Sequence, residues 1–311
     1  MYHLPTSSMA GLEPSTGKLD FIVGSETFET AYKVFGDLKS ATRPLLVLHG
    51  GPGIPHQYLL SFAQLSAQGI PVIFYDQVGC GLSTHLPKKP KEFWTVEFFM
   101  KELDNVLAHF KIHDDFDLVG HSWGGMLAAS YVISRNPRGL KRLILADAPA
   151  SMELWSVGTN TLLQGFPEQF REMLKKHELA GTTDSKEYQA GIQQFNEKHL
   201  CRVQPWPQDL LSAFEALEAD ATVYSTMIGP SEFNITGTMR EWSVVDNIHK
   251  ISVPTFLLNG RYDDAQDVGV VPFFERIPKV KWVQFAESSH MPFFEEPERF
   301  LQVVGDFLVG H

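Results

Sequence analysis

The sequence predicts an α/β fold, a mostly parallel central sheet with helices on both faces and an inserted all-helical segment. Three observations carry this. Short apolar runs alternate with helix-period segments through the first half of the chain. The alternation stops after Pro149 and resumes near Val253. Between them, from Ser151 to about Glu241, helical patterns occur without a convincing strand. The expected organisation is 1–150 as the first part of the core, 151–241 as a helical cap, and 242–311 as the second part of the core. A chain of 311 residues, 43% hydrophobic, can bury a core of that size.

Each element has a local reason. Leu19–Val23 and Thr30–Phe35 form an opening pair of strands. Leu45–Leu48, Val72–Tyr75, Phe116–Val119 and Leu143–Ala146 are apolar runs of strand length, as strands buried on both faces require. Tyr58–Gln68 has a helical pattern, and Thr95–Phe110 places Val96, Phe99, Leu103, Val106, Leu107 and Phe110 on one helical face. Gly124–Ser134 is a helix stopped by Asn136-Pro137. In the insert, Pro167–Leu179, Ser185–Leu200 and Pro207–Met227 read as helical stretches, the second capped by Asp184 or Ser185. Val253–Leu258, Val268–Arg276, Val280–Phe285 and Pro297–Val309 then restore the strand–helix rhythm.

Bulk properties exclude several classes. The formal charge is −11 and no Lys/Arg run exceeds two adjacent residues, which argues against a nucleic-acid partner. Met1 to Thr16 lacks the basic segment and apolar run of a secretory leader, and no apolar stretch has membrane-spanning length. A cytoplasmic enzyme without a membrane partner is therefore expected. Nothing in the sequence fixes an oligomeric state. The two cysteines, Cys80 and Cys201, permit one disulfide but suggest no framework, and no metal-ligand spacing is present. No metal and no cofactor are expected.

The chemistry lies in two glycine-rich stretches. Gly120-His121-Ser122-Trp123-Gly124 follows a strand and opens a helix. A serine there sits on a sharp turn, and the flanking glycines leave room where strand and helix nearly touch. His49-Gly50-Gly51-Pro52-Gly53 follows another strand and can bring backbone N–H groups to a reacting carbonyl oxygen. Ser122 is the expected nucleophile, with the N–H groups of Gly51 and Trp123 as the oxyanion hole. A serine needs a base, and the base an orienting acid, in the chain order Ser, acid, His. The strand Thr255–Leu258 leads into Asn259-Gly260-Arg261-Tyr262-Asp263-Asp264, and Asp263 is preferred there over Asp264, Asp267 and Asp246. Val280–Phe285 leads into Ala286-Glu287-Ser288-Ser289-His290, and His290 is the expected base. His249 precedes the acid and would break the order. His49 is expected to stiffen its own loop. The insert aromatics Trp155, Phe166, Trp206, Phe214 and Tyr224 are expected to pack among the insert helices.

These motifs, with Asp76-Gln77-Val78-Gly79-Cys80-Gly81-Leu82-Ser83 and Gly260-Arg261-Tyr262-Asp263, resemble the proline iminopeptidase family of α/β-hydrolases from Leu19 onward. The stretch from Gly229 to Thr238 is similar to the tricorn-interacting aminopeptidase branch. The resemblance implies an α/β-hydrolase fold and removal of an N-terminal residue, proline or another apolar one, from short peptides or amino-acid amides through an acyl-enzyme. It also implies that Glu232 and Asp264 bind the free α-ammonium of a small-molecule or short-peptide substrate. A second reading keeps the triad but gives it an ester, lactone or amide intermediate of a specialised pathway.

Overall fold

The computed structural model describes residues 13–310, so most of the segment read for a leader lies outside the described residues. Eight strands form one sheet in the order β1-β2-β4-β3-β5-β6-β7-β8. They are β1 (Ser15–Val23), β2 (Glu26–Phe35), β3 (Leu45–Leu48), β4 (Val72–Tyr75), β5 (Phe116–His121), β6 (Leu140–Ala146), β7 (Thr255–Gly260) and β8 (Val280–Phe285). β1 pairs antiparallel with β2, and β2 antiparallel with β4. From β4 to β8 every pairing is parallel. This is the α/β-hydrolase arrangement, and the doubly buried strands explain the unbroken apolar runs of β3 and β4.

Strand alternation divides the core. Leu46, Leu48 and Leu118 face one layer, where α1 (Val96–Phe110) contributes Phe99, Leu103 and Val106. Leu45, Val47 and Val119 face the other, against Leu59, Phe62 and Leu65. Those last three lie on His56–Gln68, which coils as tight 3₁₀ turns rather than the expected α-helix. Thr95 caps α1 by accepting from the Phe98 N–H at 3.1 Å. α2 (Trp123–Arg135) follows β5 directly.

After β6 the chain runs through α3 (Met152–Leu163), α4 (Glu168–Ala180), α5 (Lys186–His199), α6 (Gln208–Ala219) and α7 (Thr222–Met227) before returning at β7. The sequence pattern did not mark α3, and it joined α6 to α7, which are separate helices broken at Asp220. Ser185 caps α5 by accepting from Tyr188 N–H at 3.2 Å. The two ends of this excursion meet in an antiparallel bridge between Ser151 and Ser243. Met152 N–H donates to the Trp242 carbonyl and Val244 N–H to that of Ala150, both at 3.0 Å. α8 (Asp267–Arg276), α9 (Pro292–Glu295) and α10 (Pro297–Val309) complete the fold. Cys80 and Cys201 are both buried free thiols. Among the described residues no helix is long and apolar enough to cross a membrane.

Backbone packs closely where α2 leaves β5. A Cβ on Gly120 would overlap the Gly124 carbonyl, and one on Gly124 would overlap the carbonyls of Leu48 and His49. Backbone lies on the far side of each contact, so no side chain can yield. Gly120→Ala and Gly124→Ala should each destabilise the protein by about 1–3 kcal/mol or more, read as a lowered thermal midpoint. An unchanged midpoint in both variants would contradict this packing.

Candidate active site

The β5–α2 turn dictates the backbone at Ser122, which has φ 55° and ψ −122°. For a residue with a Cβ this is a strained conformation, held by the surroundings. Its N–H donates to the Ala146 carbonyl at 2.9 Å. Its carbonyl accepts from Gly125 at 2.9 Å and Met126 at 3.1 Å. Trp123 opens α2, so its N–H belongs to the unpaired first turn. Gly51 adopts φ 107°, a value that favours glycine. Among the described residues, neither the Gly51 nor the Trp123 N–H donates to a protein acceptor.

Hydrogen bonds tie the loops around Ser122 into one unit. The Gly50 N–H donates to the Tyr58 hydroxyl at 2.7 Å, and that hydroxyl lies 2.9 Å from His121 Nδ1. His121 Nε2 lies 2.8 Å from the His290 carbonyl, which can only accept. The ring proton therefore sits on Nε2, and Nδ1 accepts from Tyr58. Burial, then the neighbouring His290, hold the His121 pKa down to about 3, so the ring stays neutral. One relay thus joins the glycine loop, the serine turn and the histidine loop. His49 does brace its loop: its Nε2 accepts from the Gln77 N–H at 2.9 Å. Gln77 Oε1 in turn accepts from the Trp123 indole at 2.9 Å.

His290 and Asp263 stand together. His290 Nδ1 is 2.6 Å from Asp263 Oδ1, and both side chains are buried. Asp263 Oδ1 also accepts from the Ala265 N–H at 2.7 Å. The histidine loop is clamped from α9: Glu295 accepts from the Ser289 N–H and hydroxyl, both at 2.7 Å. Asp264 Oδ1 lies 2.9 Å from His290 Nδ1, so two carboxylates flank one imidazole. Burial alone would depress the His290 pKa, but the charges of Asp264 and Asp263 outweigh it and hold it up. Burial opposes ionisation of Asp263, yet His290 keeps its pKa below the ordinary range. Asp267 lies apart, accepting from Asn259 at 2.9 Å and Gln284 at 2.7 Å, and Asp246 and His249 are exposed.

Ser122, His290, Gly51, Glu232 and Asp264 line one cavity of about 30 Å³, together with Trp155 and Tyr58. The insert supplies Glu232. Its carboxylate accepts from the Tyr224 hydroxyl at 2.7 Å, and its carbonyl accepts from the Trp155 indole at 2.6 Å. Burial, then the charge of Asp264, push the Glu232 pKa up to about 7. Two of the insert aromatics, Trp155 and Tyr224, therefore serve this site, whereas Trp206 and Phe214 pack on each other at 5.6 Å between ring centroids. Residue type does not separate the two pairs in sequence, since Trp206 carries the same indole N–H and donates it to the Cys201 carbonyl at 3.0 Å.

Sequence reasoning also passed over Tyr58 and Asp147. Asp147 directly follows β6, as Asp263 follows β7, and that placement was the available signal. Among the described residues one group of side chains has atoms close enough to share a cation: Asp147, Asp263 and His290, all buried. His290 Nδ1 in that group is already turned onto Asp263.

The comparisons with known proteins agree with this fold. The family described as alpha/beta hydrolase fold matches residues 43–297. A proline iminopeptidase of Thermoplasma volcanium is 35% identical over 264 residues, covering 85% of this chain and 88% of that protein. The crystal structure of VinJ superposes with a TM-score of 0.91 at 46% identity, covering 95% of this chain and 99% of that one. The proline iminopeptidase of Mycobacterium smegmatis superposes with a TM-score of 0.85 at 39% identity, covering 94% and 97%. The family match over residues 43–297, with relatives at 35% and 39% identity covered over most of their length, identifies the chain as a hydrolase belonging to the proline iminopeptidase family of the α/β-hydrolase fold.

Proposed function

We propose that this hydrolase removes an N-terminal residue, proline or another apolar one, from short peptides or amino-acid amides through an acyl-enzyme. Ser122 attacks the scissile carbonyl. His290 takes the serine proton and returns it to the leaving amine. Asp263 holds the Nδ1–H tautomer and stabilises the imidazolium. The N–H groups of Gly51 and Trp123 receive the oxyanion. Glu232 and Asp264 hold the substrate's α-ammonium. No metal or cofactor takes part in this scheme.

The observation that carries this reading is the charge balance of the pocket. Glu232 and Asp264 reach the same small cavity as Ser122 and His290 from segments on either side of β7, and no Lys or Arg is among its lining residues. Crowded buried carboxylates are costly, and a cation between them relieves both. The relatives named proline iminopeptidase support an amine-bearing substrate over the ester, lactone or pathway intermediate. The test is kcat/KM on matched free and N-acetylated prolyl and alanyl anilides, with a folded Ser122→Ala protein as the inactive control. Free-amine substrates should be cleaved ten- to a hundredfold faster, on the order of the 1.5–3 kcal/mol of a charge-assisted hydrogen bond. Glu232→Gln should close most of that gap. Equal rates on both substrates would remove the aminopeptidase reading.

The pH dependence has a definite sign. Glu232 titrates near 7, so below that pH it takes up a proton and loses its pull on an ammonium. The substrate's α-amine, with a pKa of about 7.7–8.0, loses its charge above that range. The kcat/KM profile for free-amine anilides should therefore be a narrow bell, its acid limb set by Glu232 together with the His290 base, whose pKa is held up, and its alkaline limb by the amine. The N-acetylated series should lack the alkaline limb and keep only the acid limb of the base. A broad plateau for free-amine substrates, unchanged in Glu232→Gln, would count against the amine clamp.

We also propose that residues 151–241 act as a lid. The insert borders the cavity of about 30 Å³ that Ser122 and His290 line, so a prolyl group reaches the serine past this segment. Trp155, Leu200 and Glu232 are the lining residues that come from this segment. Hydrogen exchange in α3 to α7 should slow when a prolyl boronate occupies Ser122, while exchange in β3 to β6 stays as it was. Uniform protection across the chain would refute the lid.

A further inference from the structure

Asp147 has no part in the scheme above, yet it is fully buried beside it. It directly follows β6, and its N–H donates to the Leu258 carbonyl of β7 at 2.7 Å. Its φ of 53° lies in the left-handed region, which aspartate tolerates better than most residues. Both of its carboxyl oxygens lack a hydrogen-bond donor. The second oxygen of Asp263, Oδ2, lacks one as well. Ligating atoms of Asp147, Asp263 and His290 all lie within 4.8 Å of one another. Two ionised carboxylates, buried side by side with three orphaned oxygens, would be an expensive arrangement. One proton shared between them converts two of those orphans into a donor and its acceptor.

The geometry decides which acid carries the proton. Asp263 Oδ1 already accepts from His290 and from the Ala265 N–H, so donors stabilise Asp263 as the anion. Asp147 has no such donors. The nearest ring nitrogen, His121 Nε2, is 3.8 Å from Asp147 Oδ2 and is already committed to the His290 carbonyl. We propose that Asp147 is a neutral carboxylic acid that donates its proton to Oδ2 of Asp263, and so is a positioning residue for the acid of the triad. This rests on the Ser122–His290–Asp263 reading given above. The groups facing Asp147 fit it: Asp263 and Glu295 are acidic, His121 is a neutral ring, Tyr58 is a neutral phenol, and His290 pairs with Asp263. Burial first, and then the charge of Asp263, hold the Asp147 carboxyl well above the ordinary range. With its second oxygen engaged, Asp263 is held at both ends, one facing the imidazole and the other facing β6.

The experiment compares Asp147→Ala with Asp147→Asn in the full chain. The alanine variant loses the donor and should lose about ten- to a hundredfold in kcat, with KM changed less than threefold. Asparagine is neutral, has the same shape and keeps an N–H donor, so it should rescue most of that loss and leave the acid limb of kcat/KM in place. If Asp147 were instead ionised, the asparagine would remove a negative charge beside His290 and move the acid limb down by a unit or more. That shift would overturn the proposal, as would an asparagine variant as impaired as the alanine one. Infrared difference spectra give a readout independent of turnover: at neutral pH, where burial leaves Glu102 and Glu232 partly protonated as well, wild type should show one further protonated-carboxyl stretch that Asp147→Asn lacks. Absence of that band from wild type, or a stoichiometric tightly bound metal ion that Asp147→Asn loses, would also overturn it. Labelling by a fluorophosphonate in wild type and its loss in Ser122→Ala separate a failure of the underlying triad reading from a failure of this one.

Discussion

At Gly120 and Gly124 the first turn of α2 presses on the backbone of β5 and on the end of β3, with no space for a methyl group. That contact holds Ser122 in a backbone conformation it would not adopt freely. It also seats α2 against the carbonyls of Leu48 and His49, where the glycine loop begins. The N–H of Trp123 and the N–H of Gly51 are thereby placed by one packing event rather than two. The relay from Gly50 through Tyr58 and His121 to the His290 carbonyl extends the same constraint to the far loop. Three segments distant in sequence are located by backbone contact and three hydrogen bonds.

Much of this was legible from residue order. Doubly buried parallel strands announce themselves as uninterrupted apolar runs, and β3 and β4 did so. The glycines around Ser122 and Gly51 were readable because only a backbone crowded on both sides excludes every side chain. α3 was less so, since Ser, Gly, Thr and Asn interrupt its apolar pattern and its stability comes from packing on α8. The break between α6 and α7 turns on Asp220, whose carboxylate accepts from the Thr222 N–H and hydroxyl. Tyr58 and Asp147 were missed for a different reason. Tyr58 acts through a partner far away in the chain, and no local pattern records a hydrogen bond across 63 residues, while Asp147 showed only its place after β6.

The electrostatics of the site depend on how many acids surround one base. His290 has Asp263 and Asp264 at 2.6 and 2.9 Å, with Asp147 behind them and Glu232 across the cavity. Burial strengthens each of these interactions, because little water remains to screen them. Neutral acids and paired acids are the two ways such a cluster persists in an interior. The His121 ring contributes geometry without charge, since its pKa near 3 keeps it from repelling the imidazolium that forms next to it.

The bridge between Ser151 and Ser243 has a consequence for how this architecture can change. β6 and β7 are adjacent strands, and the chain leaving one is tied at once to the chain approaching the other. Closing a long excursion at a pinned neck costs the sheet little more entropy than closing a short one. The five helices between these two serines can thus be lengthened, shortened or exchanged between relatives while the register of the sheet stays fixed. Recombination at Ala150 and Val244 is the natural cut for chimaeras that trade one substrate range for another on an unaltered serine turn.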